Sequence, residues 1–141
     1  MHRVSTGMIT GLVFVCVAFL TVSTSGQTPG GNPEAKKTKN PVASTPASIT
    51  AGQATYQKYC KFCHGDDAKG DGSMAPKDTH PPNLIDNVWD RGASDGEIFA
   101  VLQDGAGPKF DMKGYKGKMP DQDLWNVINY LRSIGSQAKS R

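Results

Sequence analysis

Two cysteines and a histidine, in the pentapeptide Cys60-Lys61-Phe62-Cys63-His64, carry the strongest chemical signal in the sequence. Cysteines three positions apart point the same way on a helical turn. Their thiols can form thioether bonds to the two vinyl groups on one edge of a porphyrin, while the adjacent imidazole ligates the iron. The spacing therefore predicts one covalently attached haem c, bound by Cys60 and Cys63 and ligated by His64.

Zinc binding and dithiol exchange are the two other chemistries that use paired cysteines. A zinc site needs about four ligands. The remaining ligands are Cys16, which lies in an apolar segment, with His2 and His80, and none of these forms a second paired cluster. A thioredoxin-like dithiol requires a βαβ surround, whereas the flanks of this motif are helical and glycine-rich. The sequence therefore favours haem over both alternatives.

The first 26 residues predict an export signal. Two polar residues, His2 and Arg3, precede an uncharged apolar run at residues 8–22, and small polar residues follow it. The run has about 15 residues and a membrane span needs about 20, so we expect the leader to be cleaved. An uncleaved leader would attach the protein to the membrane through residues 8–22. Export to the periplasm fits the motif, because covalent haem is attached outside the cytoplasm.

Composition divides the rest of the chain. Residues 27–48 are mostly Pro, Gly, Asn, Thr, Ser, Ala and Lys, with Val42 as the one large apolar side chain. Such a segment buries too little surface to offset its ordering entropy, which predicts a disordered linker. Residues 49–137 are expected to form one domain, and residues 138–141 a tail. A domain this small usually needs a stabilising element in addition to its hydrophobic core, and buried haem would supply one.

Three main helices and long loops predict an all-α domain. The first helix is expected to start near Thr50 as its N-cap and to run through the motif to Gly65. The middle helix begins at Ser94, which has capping-box spacing to Glu97. The last begins with Pro120 in its first turn and is closed by a glycine at position 135. The loops lack strand or helix periodicity, so we expect them to wrap around the haem.

The loop at residues 107–119 must supply the second axial ligand of the iron. A thioether sulfur raises the haem potential toward electron-transfer values, and Met112 and Met119 are the candidates. Met119 precedes Pro120 at the mouth of the last helix, where an apolar residue normally packs against the next turn. Met112 lies in a glycine- and lysine-rich stretch with room to fold over the haem, so it is the favoured ligand. Met74 and His80, in the other loop, are weaker candidates.

Residues 50–135 resemble a class I mono-haem c-type cytochrome, of the small bacterial kind also found as domains of oxidases and dehydrogenases. The resemblance rests on the attachment motif with Gly65 and on three further stretches: Gly70-Asp71-Gly72, Ser94-Asp95-Gly96-Glu97-Ile98-Phe99, and Met112-x-x-Tyr115-x-Gly117-x-x-x-Asp121-x-x-x-Trp125. The family's spacing agrees with Met112 as the ligand. One departure is Lys113, because the family usually has proline after the axial methionine.

The resemblance implies further contacts. Gly52 and Tyr56 of the first helix would pack crosswise on Val127 and Tyr130 of the last. A glycine there lets the two backbones approach closely. A proline carbonyl would accept the His64 Nδ1–H, with residues 76 and 81 as the candidate prolines. Such a bond fixes the imidazole tautomer.

The expected function is one-electron transfer rather than catalysis, because an iron bound by His64 and Met112 has no open position. The rivals are a haem enzyme or gas sensor with an open or displaceable sixth position and, more remotely, a dithiol oxidoreductase. A basic rim, defined here as Lys109, Lys113, Lys116 and Lys118, could steer an acidic redox partner. No basic stripe with interleaved aromatic residues indicates nucleic-acid binding.

Overall fold

The computed structural model describes residues 30–78, 80–86, 88–107 and 111–139, and this part of the chain is mostly helical. A short 3₁₀ helix covers Ala35–Lys37. The elements that follow are α1 (Pro46–Tyr59), α2 (Lys61–His64), α3 (Asp95–Asp104), β1 (Gly105–Ala106), β2 (Met112–Lys113) and α4 (Asp121–Lys139). The predicted all-α class is confirmed. The two short strands pair antiparallel, with Ala106 opposite Met112.

The first helix begins earlier than the sequence suggested. Thr45, rather than Thr50, is the N-cap of α1, and its side chain accepts a hydrogen bond from the backbone N–H of Ser48 at 3.2 Å. Pro46 then occupies the first helical position, where its missing N–H costs nothing. The helix breaks at Cys60, and α2 forms a separate turn that ends at Gly65 with φ of 81°.

The middle and last helices follow the predicted signals at their starts. Ser94 caps α3 in a capping box with Glu97, and α4 begins at Asp121, directly after Pro120. The predicted end of α4 at Gly135 is wrong, because the helix continues to Lys139. A Cβ at Gly135 would stand 3.6 Å from Ile85, an ordinary contact, so this glycine neither breaks the helix nor admits a close neighbour.

The core lies where α1 crosses α4. Gly52 of α1 lies against the backbone of Asn126, so closely that a Cβ would overlap the Asn126 carbonyl and stand 3.0 Å from Tyr130 Cβ. One turn on, the fully buried Tyr56 packs on Tyr130 with ring centroids 5.4 Å apart. On the other side of α4, Trp125 stacks on Phe99 of α3 at 3.8 Å. The packing of Gly52 and Tyr56 on Tyr130 matches the crossing that the resemblance implied, whereas the backbone that Gly52 meets is that of Asn126.

Residues 31–43, here called the N-terminal segment, differ from the predicted disordered linker. The backbone N–H of Asn32 donates to Glu97 Oε1 at 3.2 Å, and the Asn40 side chain donates to Asn129 Oδ1 at 2.9 Å. Asn129 in turn donates to the Val42 carbonyl at 3.1 Å. The N-terminal segment therefore packs on α3 and α4 through polar contacts. A prediction based on the number of apolar residues does not detect such contacts.

The helices of the described ranges include none long and apolar enough to cross a membrane. The predicted leader, residues 1–26, lies outside these ranges, as does the start of the predicted linker.

Candidate functional site

The attachment turn is the short helix α2 with the residue before it. The backbone N–H groups of Cys63 and His64 both donate hydrogen bonds to the Cys60 carbonyl, at 3.2 and 2.9 Å. This winding puts two free thiols and an imidazole on one turn, with Cys60 partly buried and Cys63 exposed. The His64 side chain is turned inward and is 8% exposed. The donor set therefore fits a haem held by two thioether bonds and one axial nitrogen.

The Cys60 thiol does not have the character of a redox-active cysteine. Burial, with a smaller effect of the neighbouring Cys63, raises the pKa of Cys60 to about 12. Reactive dithiols work through a thiolate whose pKa is lowered, not raised. The chemistry of Cys60 thus argues against the dithiol oxidoreductase.

The loop after α2 folds back over the attachment turn. Its backbone N–H groups donate to the turn's carbonyls, from Gly70 to His64 at 2.9 Å and from Gly72 to Cys63 at 3.2 Å. From the other side, the Tyr56 hydroxyl donates to the Gly65 carbonyl at 2.7 Å. The backbone around His64 is therefore fixed by α1 and by the loop together.

His64 Nδ1 is a buried nitrogen without a partner in hydrogen-bond geometry. Burial lowers the pKa of His64, and the Pro82 carbonyl opposes this as a backbone acceptor close to the ring. The structure thus points to Pro82 rather than to the predicted Pro76 or Pro81. The Pro81 carbonyl instead lies against Gly70, where a Cβ would overlap it. A neutral imidazole with one nitrogen facing a carbonyl leaves the other nitrogen for iron.

The two methionine candidates both lie at the edge of the core. Met112 sits on β2, and Met119 follows a turn in which its N–H donates to the Tyr115 carbonyl at 3.1 Å. Both are partly buried and pack against the core cluster. Met74 is 68% exposed and His80 is exposed. The choice of Met112 over Met119 stays a prediction.

The predicted basic rim is solvent-exposed where it is described. Lys113, Lys116 and Lys118 are all exposed, and the Lys118 ammonium donates to the Gly114 carbonyl at 2.9 Å. Lys109 lies outside the described residues.

Two of the other candidate zinc ligands, Cys16 and His2, lie outside the described residues. Across the described ranges, no three His, Cys, Asp or Glu side chains come together in a way that could hold a metal ion.

The sequence reasoning missed a role for Tyr115. Its hydroxyl donates to the carbonyl of Tyr59, at 3.3 Å, and so reaches the residue before Cys60. The one available signal was its position, three residues after Met112.

Comparisons with known proteins agree with this geometry. Residues 47–131 match the family model described as cytochrome C oxidase, cbb3-type, subunit III. The cbb3-type cytochrome c oxidase subunit CcoP of Rhodobacter capsulatus is 33% identical over 94 residues, which are 63% of this chain and 30% of that protein. Subunit FixPc of Rhizobium leguminosarum bv. viciae is 29% identical over 93 residues, 65% of this chain and 30% of the relative. The chain thus spans about a third of the length of these relatives.

Two solved structures share the fold. A chain of the reducing HAO-like protein complex of Kuenenia stuttgartiensis aligns with a TM-score of 0.58 and 23% identity, covering 67% of this chain and 46% of its own. Cytochrome CL of Methylophaga aminisulfidivorans aligns with a TM-score of 0.51 and 18% identity, covering 80% of this chain and 71% of its own. At these identities the likeness concerns the fold alone.

Proposed function

This chain belongs to the family of cytochrome C oxidase, cbb3-type, subunit III, and we propose that it transfers single electrons through a haem iron ligated by His64 and Met112. Membership confirms the predicted resemblance to c-type cytochromes, together with the small cytochrome c fold and the covalent haem c. The chain is therefore an electron-transfer protein. The proposal adds the residues that hold the group and the closed coordination of its iron.

The attachment turn is the observation that carries the proposal. Two free thiols and a buried imidazole lie on one turn, and the backbone of that turn is held by hydrogen bonds from α1 and from the following loop. Cys60 and Cys63 would form the thioether bonds, and His64 would supply the axial nitrogen. When bound, the haem supplies a one-electron couple whose potential depends on its axial ligands and their surroundings.

Met112 is the proposed second ligand because of where the two methionines lie in the loop. Met119 is tied by its own backbone into the turn that leads to Pro120 and α4. Met112 lies on β2, which pairs with β1 directly after the end of α3. An iron with imidazole and thioether bound has no open position for oxygen, peroxide or water, which favours electron transfer over catalysis.

Absorption spectra of the holoprotein and of two variants would test the ligand. The far-red band of methionine-ligated ferric haem should vanish in Met112→Ala and persist in Met119→Ala, while both variants keep covalent haem on a denaturing gel. Loss of the band in Met119→Ala alone would move the ligand to Met119. A wild-type protein without the band that binds carbon monoxide or cyanide promptly would instead be the haem enzyme or gas sensor.

We also propose that the basic rim steers an acidic surface of a redox partner, such as a respiratory oxidoreductase. The described lysines of the rim are exposed and stand on the loop that carries Met112. Steering by charge predicts that the rate of association with the redox partner falls as the ionic strength rises. With ferricyanide as an anionic probe, Lys116→Gln should slow oxidation more than Lys69→Gln, whose lysine pairs with Asp67 at 3.4 Å. Equal effects of the two variants would argue against the rim.

Export is the remaining part of the proposal. Residues 1–26 would direct the chain to the periplasm, and residues 8–22 would provide the membrane contact if they are retained. The mass of the mature holoprotein, purified from cells with haem-attachment machinery, distinguishes cleavage near residue 26 from retention of the leader.

A further inference from the structure

The loop that carries the proposed axial methionine, here called the methionine loop and described at residues 105–107 and 111–119, is attached to the end of α3. Its two strands pair with each other, and the N–H groups of Tyr115 and Lys116 donate to the Leu102 and Gln103 carbonyls at 2.9 and 3.0 Å. These are backbone contacts to a single helix. They do not connect the loop to the attachment turn.

The side chain of Tyr115 makes such a connection. Its hydroxyl donates to the Tyr59 carbonyl at 3.3 Å, and its ring meets the Tyr59 ring edge-on, with centroids 6.2 Å apart and an interplanar angle of 68°. Tyr59 is the last residue of α1, directly before Cys60. One residue therefore links the methionine loop to the backbone that holds the haem-binding cysteines.

The acceptor is well suited to this bond. The last carbonyls of a helix have no amide partner within the helix and take hydrogen bonds from elsewhere. The Tyr115 hydroxyl satisfies one of them at the C-terminal end of α1. The edge-on ring contact adds an apolar interaction of a favourable geometry, so the two groups hold the loop even though the Tyr59 side chain is 45% exposed.

We propose that Tyr115 is a positioning residue whose hydroxyl closes the methionine loop onto the attachment turn and so controls how readily the sixth position of the iron opens. This inference rests on the proposed function, in which a methionine of this loop is the axial ligand. Breaking the bond would favour an open loop with the thioether off the iron. The closed arrangement of the loop would still dominate, because Met112 and Met119 also pack against the core.

Cyanide binding to the ferric holoprotein measures this opening, because cyanide takes the sixth position once methionine has left. Tyr115→Phe removes the hydroxyl and keeps the ring, and one lost hydrogen bond should raise the rate of cyanide binding about five-fold. Tyr59→Phe is the matched control. It keeps the acceptor carbonyl and the ring contact, and its rate should stay within about two-fold of the wild type.

The far-red band separates the two proposals. A band in the wild type and in Tyr115→Phe, with faster cyanide binding only in Tyr115→Phe, supports the positioning role. A band in both proteins with equal cyanide rates overturns the positioning role and leaves the ligand proposal intact. An equal acceleration in Tyr59→Phe also overturns it, because loss of the Tyr59 hydroxyl, which leaves the bond from Tyr115 to the Tyr59 carbonyl in place, would then have the same effect. A wild type with no far-red band overturns both proposals.

Discussion

The N-terminal segment and the methionine loop are irregular stretches at opposite ends of α3, and they are held in different ways. The N-terminal segment reaches the protein through side chains: Glu97 accepts from Asn32, and Asn40 and Asn129 join it to α4. The methionine loop reaches α3 through backbone groups, and its lysines face solvent. Met112 and Met119 of the loop also pack against the core. The difference indicates that the N-terminal segment is held more firmly than the methionine loop, which can open at modest cost.

Glu97, in the first turn of α3, is the acceptor that holds the N-terminal segment firmly. Glu97 is 5% exposed, and its carboxylate accepts from the Ser94 N–H and hydroxyl at 3.0 and 2.7 Å as well as from Asn32. Hydrogen bonds to an ionised buried group are stronger than neutral ones. In the methionine loop the side-chain hydrogen bonds from Tyr115 and Lys118 are exposed, and their acceptors are neutral backbone carbonyls.

The largest effect should come from Gly105→Ala, which disturbs the methionine loop at its first residue. Gly105 has φ of 87°, and a Cβ there would overlap the Met112 carbonyl and stand 2.8 Å from the Gly114 nitrogen. Backbone strain and displacement of the loop together should destabilise the holoprotein by about 3 kcal/mol and abolish most of the far-red band.

Gly117→Ala is the control for Gly105→Ala, measured by thermal unfolding and absorption. Gly117 has φ of 72°, but a Cβ would meet nothing within 4 Å. It should cost about 1 kcal/mol of backbone strain and keep the band. Similar losses in the two variants would mean that strain alone, and not the contact with Met112, determines the outcome.

Gly96→Ala should detach the N-terminal segment without touching the haem. A Cβ at Gly96 would overlap the Ala35 carbonyl and stand 2.5 Å from the Thr38 carbonyl oxygen. The clash should outweigh the better helix propensity of alanine and lower the free energy of unfolding by about 2 kcal/mol, with an unchanged spectrum. Gly135→Ala, another glycine within a helix but with its nearest neighbour at 3.6 Å, should be neutral or stabilising by up to about 1 kcal/mol. A spectral change in Gly96→Ala would contradict the independence of the two ends of α3.

Glu97 should give the N-terminal segment a dependence on pH. Burial alone would raise the pKa of Glu97, but hydrogen bonds from Ser94 and Asn32, with the charge of Lys36, hold it below its ordinary value. A lowered pKa in the folded state contributes stability above the unfolded value of about 4.3, and this is lost as the pH falls below that value. Glu97→Gln should lose about 1–2 kcal/mol at pH 7.

Denaturant unfolding of wild type and Glu97→Gln from pH 3 to pH 7 would show this. The two stabilities should converge toward the acidic end, because the wild-type carboxylate becomes protonated there. Glu34→Gln is the control, since the Glu34 side chain is 82% exposed and pairs only with an exposed Lys37. A constant difference between wild type and Glu97→Gln across the range would count against the charge of Glu97 as the cause.

The sequence predicted the parts of the molecule whose signals are local. The attachment motif specifies its chemistry within five residues, and Ser94 with Glu97 forms the capping box that its spacing predicts. The start of α1 at Pro46 was missed because Thr50 and Thr45 are both acceptable caps, and the proline that decides between them was assigned to the linker.

Contacts between distant residues could not be predicted in the same way. Residues 27–48 are poor in apolar side chains, so composition predicted disorder, yet the Asn40 amide donates a hydrogen bond to Asn129 Oδ1, 89 positions away. The choice between Met112 and Met119 depends on the path of the loop in space, which spacing does not determine. The Pro82 carbonyl acts on the pKa of His64, and the sequence alone did not distinguish this proline from Pro76 and Pro81.

The smallest effects should appear when the hydrogen bonds of one polar side chain are removed from each segment. Asn40→Ala removes part-buried bonds to Asn129 and to the Trp125 carbonyl, and should cost about 1 kcal/mol because Asn129 loses a partner away from water. Lys118→Met removes an exposed bond to the Gly114 carbonyl, which water can replace, and should cost no more than about 0.3 kcal/mol. Chemical denaturation of the two holoproteins resolves this difference. A larger loss in Lys118→Met than in Asn40→Ala would reverse the comparison and make the methionine loop the more firmly held segment.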